Sequence, residues 1–251
     1  AVDPSANDPA VVQLARALTA DAADPRDKAR ILYDWVQANV RYVGLFLGET
    51  AAAPHRVTDI LRNRYGDCKD HVALFGALLA AVGIRSEPVL INLGSVYTLP
   101  SVPGYGGGAI NHAITWLPDL ARFADTTTAG IAFGYLPPIV MDRPALLVDS
   151  GVLSRTPATQ PRGRVARVEI DAAGPGAAQF HAYIEDDGWT AELERNLFRR
   201  ATPDAIVQLA NNRLRQSGLR GRAQLSTSDR RVTDGPFDVT YDGTLDHVVW
   251  P

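Results

Sequence analysis

The stretch Tyr65-Gly66-Asp67-Cys68-Lys69-Asp70-His71 constrains this chain more than any other. It sets the single cysteine of 251 residues between a turn signal and a long apolar helical pattern. Gly66 permits a sharp turn. Asp67 is an N-cap residue, and Asp70 stands three positions on, where a carboxylate favours a helix N-terminus. Val72, Phe75, Leu78, Leu79 and Val82 recur at helical spacing, and Gly83 closes the run as a C′ glycine. Cys68 is therefore expected in the first turn of a buried helix. Unsatisfied N–H groups and the positive end of the macrodipole favour a thiolate there, the form that acts as a nucleophile. A buried cysteine can equally be a small core residue, and position alone leaves both readings open.

Composition narrows the class. A hydrophobic fraction of 46% supports a substantial core, and at 27.0 kDa the chain is long for one compact domain and short for two. A net charge of −3 gives no reason to expect a nucleic-acid partner. No run of 18 apolar residues exists, so no membrane span is expected. One cysteine means no internal disulfide, which fits the cytosol or a disulfide-free periplasmic protein. The chain begins Ala-Val-Asp-Pro without Met or a signal peptide, so a processed or cut fragment is expected.

Asp8-Pro9 and Asp24-Pro25 each read as an N-cap followed by proline at N1, opening two helices. Ile31, Leu32, Trp35 and Val36 form the buried stripe of the second. Arg41-Tyr42-Val43 reads as extended, and Val57 to Arg62 as a short helix. Strands are expected at Glu87–Leu93, Ala109–Leu117, Ala121–Asp125 and Ala145–Val148. The glycine-rich run Gly94–Gly108 reads as a loop beside His112. Residues 156–163 read as a linker. Beyond it strands near Val165–Ile170 and Gln179–Glu185 precede a helix from Thr202-Pro203 to about Gln216, and strands near Ala223–Thr227 and Phe237–Tyr241 follow. The tail Val248-Val249-Trp250 has no cap or turn, which suggests that the chain stops inside a larger domain.

Pro118-Asp119 is a turn dipeptide between two of these strands. A hairpin centred there sets His112 opposite Asp125, Ile114 opposite Phe123 and Trp116 opposite Ala121, all on one face. A carboxylate facing an imidazole can fix its tautomer. Taken singly, His112 is an ordinary structural histidine and Asp125 an ordinary strand-end cap before Thr126. Together with a cysteine at a helix start they suggest more.

Cys68, then His112, then Asp125 follow the order of a known family. Tyr-Gly-Asp-Cys-Lys-Asp-His, Asn111-His112-Ala113 and Ala124-Asp125-Thr126 resemble the three motif blocks of bacterial transglutaminase-like proteins. Asp34-Trp35-Val36 with Arg41-Tyr42-Val43 upstream and Gly134-Tyr135-Leu136-Pro137 downstream fit the same pattern. The resemblance covers about residues 10–155. It implies a papain-like α+β core over residues 1–155, with Cys68 as nucleophile, His112 as general base and acid, and Asp125 orienting His112. Residues 164–251 then read as part of a β-rich accessory region. The backbone N–H of Cys68 is the first oxyanion donor to consider, no second donor is assigned, and Trp35 reads as helix core.

No cofactor and no metal are expected. The chain lacks an acidic loop with the spacing of a calcium site, so the calcium dependence of animal transglutaminases does not carry over. A zinc set of Cys68, His71 and His112 lacks a second cysteine or a close histidine pair, and His71 reads as a polar residue near the helix start. Gly104–Gly108 is no phosphate loop. Lys69 and Arg64 read first as solvated cations, with thiolate stabilisation as the alternative. The expected function is a cysteine-dependent amide hydrolase or acyltransferase of the periplasm or cell envelope, acting on a protein or peptide. Hydrolysis through a thioester is preferred to glutamine cross-linking, and a non-catalytic peptide-binding module is the third reading.

Overall fold

The computed structural model describes residues 7–44, 53–94, 110–172, 176–230, 232 and 235–248. The chain divides into two compact units, residues 1–159 and 160–251.

The first unit opens with α1 (Pro9–Leu18) and α2 (Pro25–Asn39). Asp8 and Asp24 cap them, each side chain accepting a backbone N–H, with proline inside the first turn. Two short strands, β1 (Arg41–Tyr42) and β2 (Tyr65–Gly66), pair in parallel on either side of α3 (Val57–Asn63). The chain then enters α4 (Cys68–Ala81). Gly83, with φ +78°, ends α4 in a Schellman arrangement. Its N–H donates to the Ala80 carbonyl and that of Ile84 to the Leu79 carbonyl, each at 3.0 Å.

Helix α4 is buried on more faces than its strict periodicity predicts. Leu74 and Ala77 are buried along with Val72, Phe75, Leu78 and Leu79. The reason is its neighbours: α1, α2 and α3 pack against it on one side and a sheet on the other. An apolar surface all round a helix is what such enclosure requires.

That sheet comprises β3 (Glu87–Ile91), β4 (His112–Leu117), β5 (Arg122–Ala124), β6 (Pro144–Leu147) and β7 (Leu153–Arg155). Its order is β5-β4-β3-β6-β7, antiparallel throughout. The first unit is thus an α+β fold, a helical layer on an antiparallel sheet. Its helical core includes Tyr33, Val36, Phe75 and Leu78, and its sheet core Val89, Ile114, Phe123 and Leu136. Between them a small cluster joins Cys68, Val72 and Ala113, with Leu90 against it.

The hairpin register departs from the sequence expectation. Trp116 pairs with Phe123, Thr115 with Ala124 and Leu117 with Arg122, a shift of two residues. The connection is wider than a two-residue turn: Pro118–Leu120 form a 3₁₀ turn and Ala121 takes a left-handed conformation with φ 48°. In this register Asp125 continues opposite Ile114, so it meets His112 on the diagonal. A shift of two leaves every side chain on its original face, whereas a shift of one would have reversed them all.

The second unit is a four-stranded antiparallel sheet, order β10-β11-β9-β8, built from β8 (Arg162–Asp171), β9 (Gly176–Asp187), β10 (Gly221–Thr227) and β11 (Phe237–Val248). Strand β8 thus begins inside the stretch expected as a linker. Helix α6 (Pro203–Gln216) lies where the sequence places it, but α5 (Gly188–Arg200) is a helix the apolar pattern does not reveal. Its buried stripe holds Glu192 and Arg195, paired at 3.0 Å, while Leu193 and Leu197 are exposed. Trp189, Ala191 and Phe198 are buried with the ion pair, so charged and apolar residues share the inward face.

Candidate active site

Cys68 is the first residue of α4 and is buried. The parallel pairing of β1 with β2 brings the chain to it, through Arg41 N–H to the Arg64 carbonyl at 2.9 Å and Val43 N–H to the Gly66 carbonyl at 2.8 Å. A capping box then fixes the helix start. Asp67 accepts from the N–H groups of Lys69 and Asp70, and the Asp70 carboxylate accepts the Asp67 N–H at 3.1 Å. Asp70 also takes the His55 N–H at 2.8 Å and meets the His55 ring at 2.9 Å, tying the incoming loop to the helix. Lys69 is paired to Asp67, so its charge is already engaged.

Gly66 has a reason different from the one its turn position suggests. Its φ is not positive. A Cβ there would lie 2.5 Å from the Cβ of Asp70. Glycine is needed so that Asp70 can fold back over the chain and close the capping box.

The box also has a chemical consequence. His71 N–H donates to the Asp67 carbonyl, so the N–H groups of residues 67 and 69–71 are all engaged. Among the described residues, the Cys68 N–H alone of this turn has no acceptor. It is therefore free to donate to an oxyanion forming next to its own sulfur.

His112 starts β4 and is buried. Its Nε2 lies 3.0 Å from Oδ2 of Asp125, and Cys68 is close enough to raise the imidazole pKa. Burial by itself would lower the imidazole pKa. Its hydrogen bond to Asp125 and the nearness of Cys68, with the charges of both groups, override burial and push it up to about 9. Burial likewise would raise Asp125, but the His112 bond and charge and two contacts from Thr127 hold it below the usual carboxylate range. Those contacts come from the Thr127 N–H at 2.9 Å and the Thr127 hydroxyl at 2.7 Å. The structure thus brings together the three residues singled out by sequence, with imidazole and carboxylate hydrogen-bonded and the thiol beside the imidazole.

Two supporting residues escape the sequence reading. Tyr33, fully buried, donates its hydroxyl to the Asp125 carbonyl at 3.0 Å. Gln37, one turn on, donates to the Tyr33 oxygen at 2.8 Å and to the Thr128 carbonyl at 2.7 Å, and accepts from the Gly130 N–H at 3.2 Å. Helix α2 thereby clamps residues 125–130. The signal was a Tyr and a Gln at i, i+4 on one helix face beside the apolar stripe. Trp35 packs against the helical core, and Arg64 stacks on it with the guanidinium 4.7 Å from the ring centre.

His71 is buried and lies edge-on to Tyr42 at 5.9 Å. Neither ring nitrogen has a hydrogen-bond partner of ordinary geometry. Burial lowers its pKa, against smaller upward pulls that include Asp125 and the Thr126 backbone. Tyr42 overhangs the same place: burial raises its phenol pKa, and the negative charges of Cys68, Asp67 and Asp125 raise it further. The loop Gly94–Gly108, expected beside His112, lies outside the described residues apart from Gly94.

A thiol at a helix start, backed by imidazole and carboxylate on the strands packed against it, defines the class of cysteine-type sites on a papain-like fold. The comparisons agree at the level of family. Residues 12–115 match the family model described as the transglutaminase-like superfamily. The match ends ten residues before Asp125. Among solved structures, a protein from Parabacteroides distasonis titled a "putative protease" is similar at 12% identity with a TM-score of 0.48. The alignment covers 94% of this chain and 49% of that one, so the chain spans about half the length of this neighbour. No curated protein matches the chain. Among the described residues no helix is long and apolar enough to cross a membrane.

Proposed function

We propose that the chain is a thiol-dependent acyl-transfer enzyme that hydrolyses peptide or isopeptide amide bonds. The observation that carries this reading is the hydrogen-bonded pair His112–Asp125 set beside Cys68 at the start of a capped helix. An imidazole pushed up to about 9 is protonated at neutral pH and can give its proton to a leaving amine. Cys68 attacks the amide carbonyl, and the carbonyl oxygen becomes an oxyanion within reach of the Cys68 N–H. His112 gives its proton to the departing amine as the C–N bond breaks, leaving a thioester. His112, now neutral, takes a proton from water as that water attacks the thioester. The C–S bond breaks, and the products are a carboxylic acid and the restored thiolate–imidazolium pair. Asp125 holds the imidazole in the orientation both steps use.

Hydrolysis is favoured over transfer to an amine by the surroundings of the site. A transferase must exclude water, while the cavity next to Tyr42 and Thr127 is bordered by Gln37, Asn39, Arg41 and Arg64, a wettable wall. Residues 164–251 serve as a β-rich accessory region that contributes no catalytic group. The reading places this chemistry on protein or peptide substrates in the periplasm or cell envelope, where a lone thiol has no intramolecular disulfide to form. The test has two arms. Iodoacetamide should alkylate Cys68 at pH 6–7 far faster than it alkylates a free thiol, whose pKa is about 8.5. Product analysis on a peptide-amide library, with and without excess primary amine, should give free acid as the main product. Amine conjugates in large excess at modest amine concentration would replace hydrolysis with transfer. A thiol no more reactive than free cysteine would leave the binding-module reading.

A further inference from the structure

A cavity of about 460 Å³ opens beside the candidate site, and among the described residues its charged lining is all of one sign. Tyr42, Thr126 and Thr127 form the wall shared with the site, and Arg41 and Arg64 are the charged residues in its lining. The link to the reacting groups is direct: Thr127 donates to Asp125, and the Tyr42 phenol feels the charges of Cys68 and Asp125.

Cations on a protein surface are normally solvated or matched by a carboxylate, and among the described residues these two have no carboxylate match. The carboxylates on the neighbouring elements are already taken: Asp34 pairs with Arg30, Asp59 with Arg62, Asp67 with Lys69 and Asp125 with His112. Among the described residues no carboxylate pairs with Arg41 or Arg64. The chain segments that carry them are held together by the Arg41 N–H donating to the Arg64 carbonyl, and both residues line the cavity. Arg64 is further fixed by its stack on Trp35 and by a left-handed backbone with φ 60°, which only a few residue types adopt readily. One feature opposes an anion here. The carbonyl end of α2 borders the cavity through Gln37, Ala38 and Asn39. A helix C-terminus carries roughly half a negative charge, against two full positive charges, so the balance stays positive.

We propose that this cavity is a substrate subsite for a carboxylate, and that the enzyme prefers amide substrates carrying an acidic side chain or a free α-carboxylate within a few residues of the scissile bond. Arg41 and Arg64 bind the carboxylate as guanidinium forks, and Tyr42 forms the wall between it and the thiol. The proposal rests on the reading of Cys68 as a reactive nucleophile.

The test uses paired alkylating peptides that differ in one carboxylate: iodoacetyl-Glu-amide against iodoacetyl-Gln-amide, each also made with one and two glycines as spacers. The measured quantity is the ratio of second-order alkylation rates at Cys68, acidic over neutral, so any general change in thiol reactivity cancels. At low ionic strength the whole protein should show a ratio of about five at one of the spacings, the scale of exposed ion pairs. The ratio should fall toward one in Arg41→Gln/Arg64→Gln, fall with added salt, and recover in part with Arg64→Lys. A ratio of one at every spacing in the unmodified protein would overturn the subsite, leaving both arginines as solvated surface cations. So would a preference that survives in the double variant, which would trace it to the His112 imidazolium. If plain iodoacetamide finds Cys68 no more reactive than free cysteine, the functional reading falls and takes this proposal with it.

Discussion

Removing one buried hydroxyl tests whether α2 supports the site as the geometry implies. Tyr33→Phe keeps the ring, which packs edge-on against Phe75 and Phe133 with centroids 6.0 and 5.5 Å away. The hydroxyl's bonds to the Asp125 carbonyl and from Gln37 are lost together. One net hydrogen bond is worth about 1 kcal/mol, and leaving a buried partner unpaired costs about 1–3 kcal/mol. The expected destabilisation is therefore ~1–3 kcal/mol, small against a typical stability of about 5–15 kcal/mol. For a chain of this size that is a fall in Tm of roughly 2–10 °C. The carboxylate keeps both contacts from Thr127, so alkylation of Cys68 should slow by less than about tenfold, far short of the ~10⁴-fold loss known for the orienting aspartate of a triad. Thermal melts and the pH profile of iodoacetamide alkylation read the two quantities separately. Gln37→Ala should destabilise in the same range, and the double variant should lose less than the sum, because the residues share one network. Strict additivity, or a Tyr33→Phe variant with unchanged Tm, would refute the clamp.

Gly66→Ala should lower Tm and thiol reactivity together, since the new methyl meets the Cβ of Asp70, and overpacking of this kind costs about 1–3 kcal/mol; calorimetry with alkylation rates checks it. Cys68→Ala and His112→Ala should each abolish peptide-amide turnover with folding intact, and Asp125→Asn should reduce turnover less completely, as assayed by product formation and circular dichroism. Residues 1–159, expressed alone, should keep alkylation at Cys68; loss of reactivity in a soluble, folded fragment would mean that the second unit completes the site. Stability should fall as pH rises above neutrality. His112 is raised to about 9 when folded and titrates near 6.5 unfolded, so its contribution of up to about 3 kcal/mol is complete below pH ~6.5 and gone above pH ~9. Asp125 acts in the opposite sense, contributing above its unfolded value near 4 and losing that contribution as pH falls through its lowered folded value. Melts from pH 3 to 10 on the native protein and His112→Ala measure both.

Much of the first unit was legible because its elements carry local signals. Asp8-Pro9 and Asp24-Pro25 open α1 and α2, and Gly83 closes α4, each through chemistry confined to a few residues. The second unit shows the limit of such signals. Helix α5 buries an ion pair and exposes Leu193 and Leu197, so its inward face was settled by partners distant in sequence. Arg195, for one, donates to the carbonyl of Gly235, forty residues away. No local period contains that contact. Strand β8 was expected near Val165–Ile170, but 9 of its 10 residues are exposed, so its pattern told where a strand lies and not what it buries.

The candidate site was legible for a narrower reason. Placing His112 beside Asp125 needed only the face each occupies, and face depends on whether a position is odd or even along the strand. The turn at 118–121 is wider than expected, and Ala121 adopts a left-handed conformation that its residue type does not announce. The resulting register error was two residues, which preserves parity. Trp116 changed partner from Ala121 to Phe123, and yet His112 and Asp125 still meet at 3.0 Å because a carboxylate reaches a diagonal neighbour. Arg41 and Arg64 could not be placed in this way. They lie in no common element, and what unites them is a parallel bridge of two residues joining segments separated by α3. Pairing that short carries no periodic pattern. Residues that line the cavity were therefore hidden, while His112 and Asp125 were not.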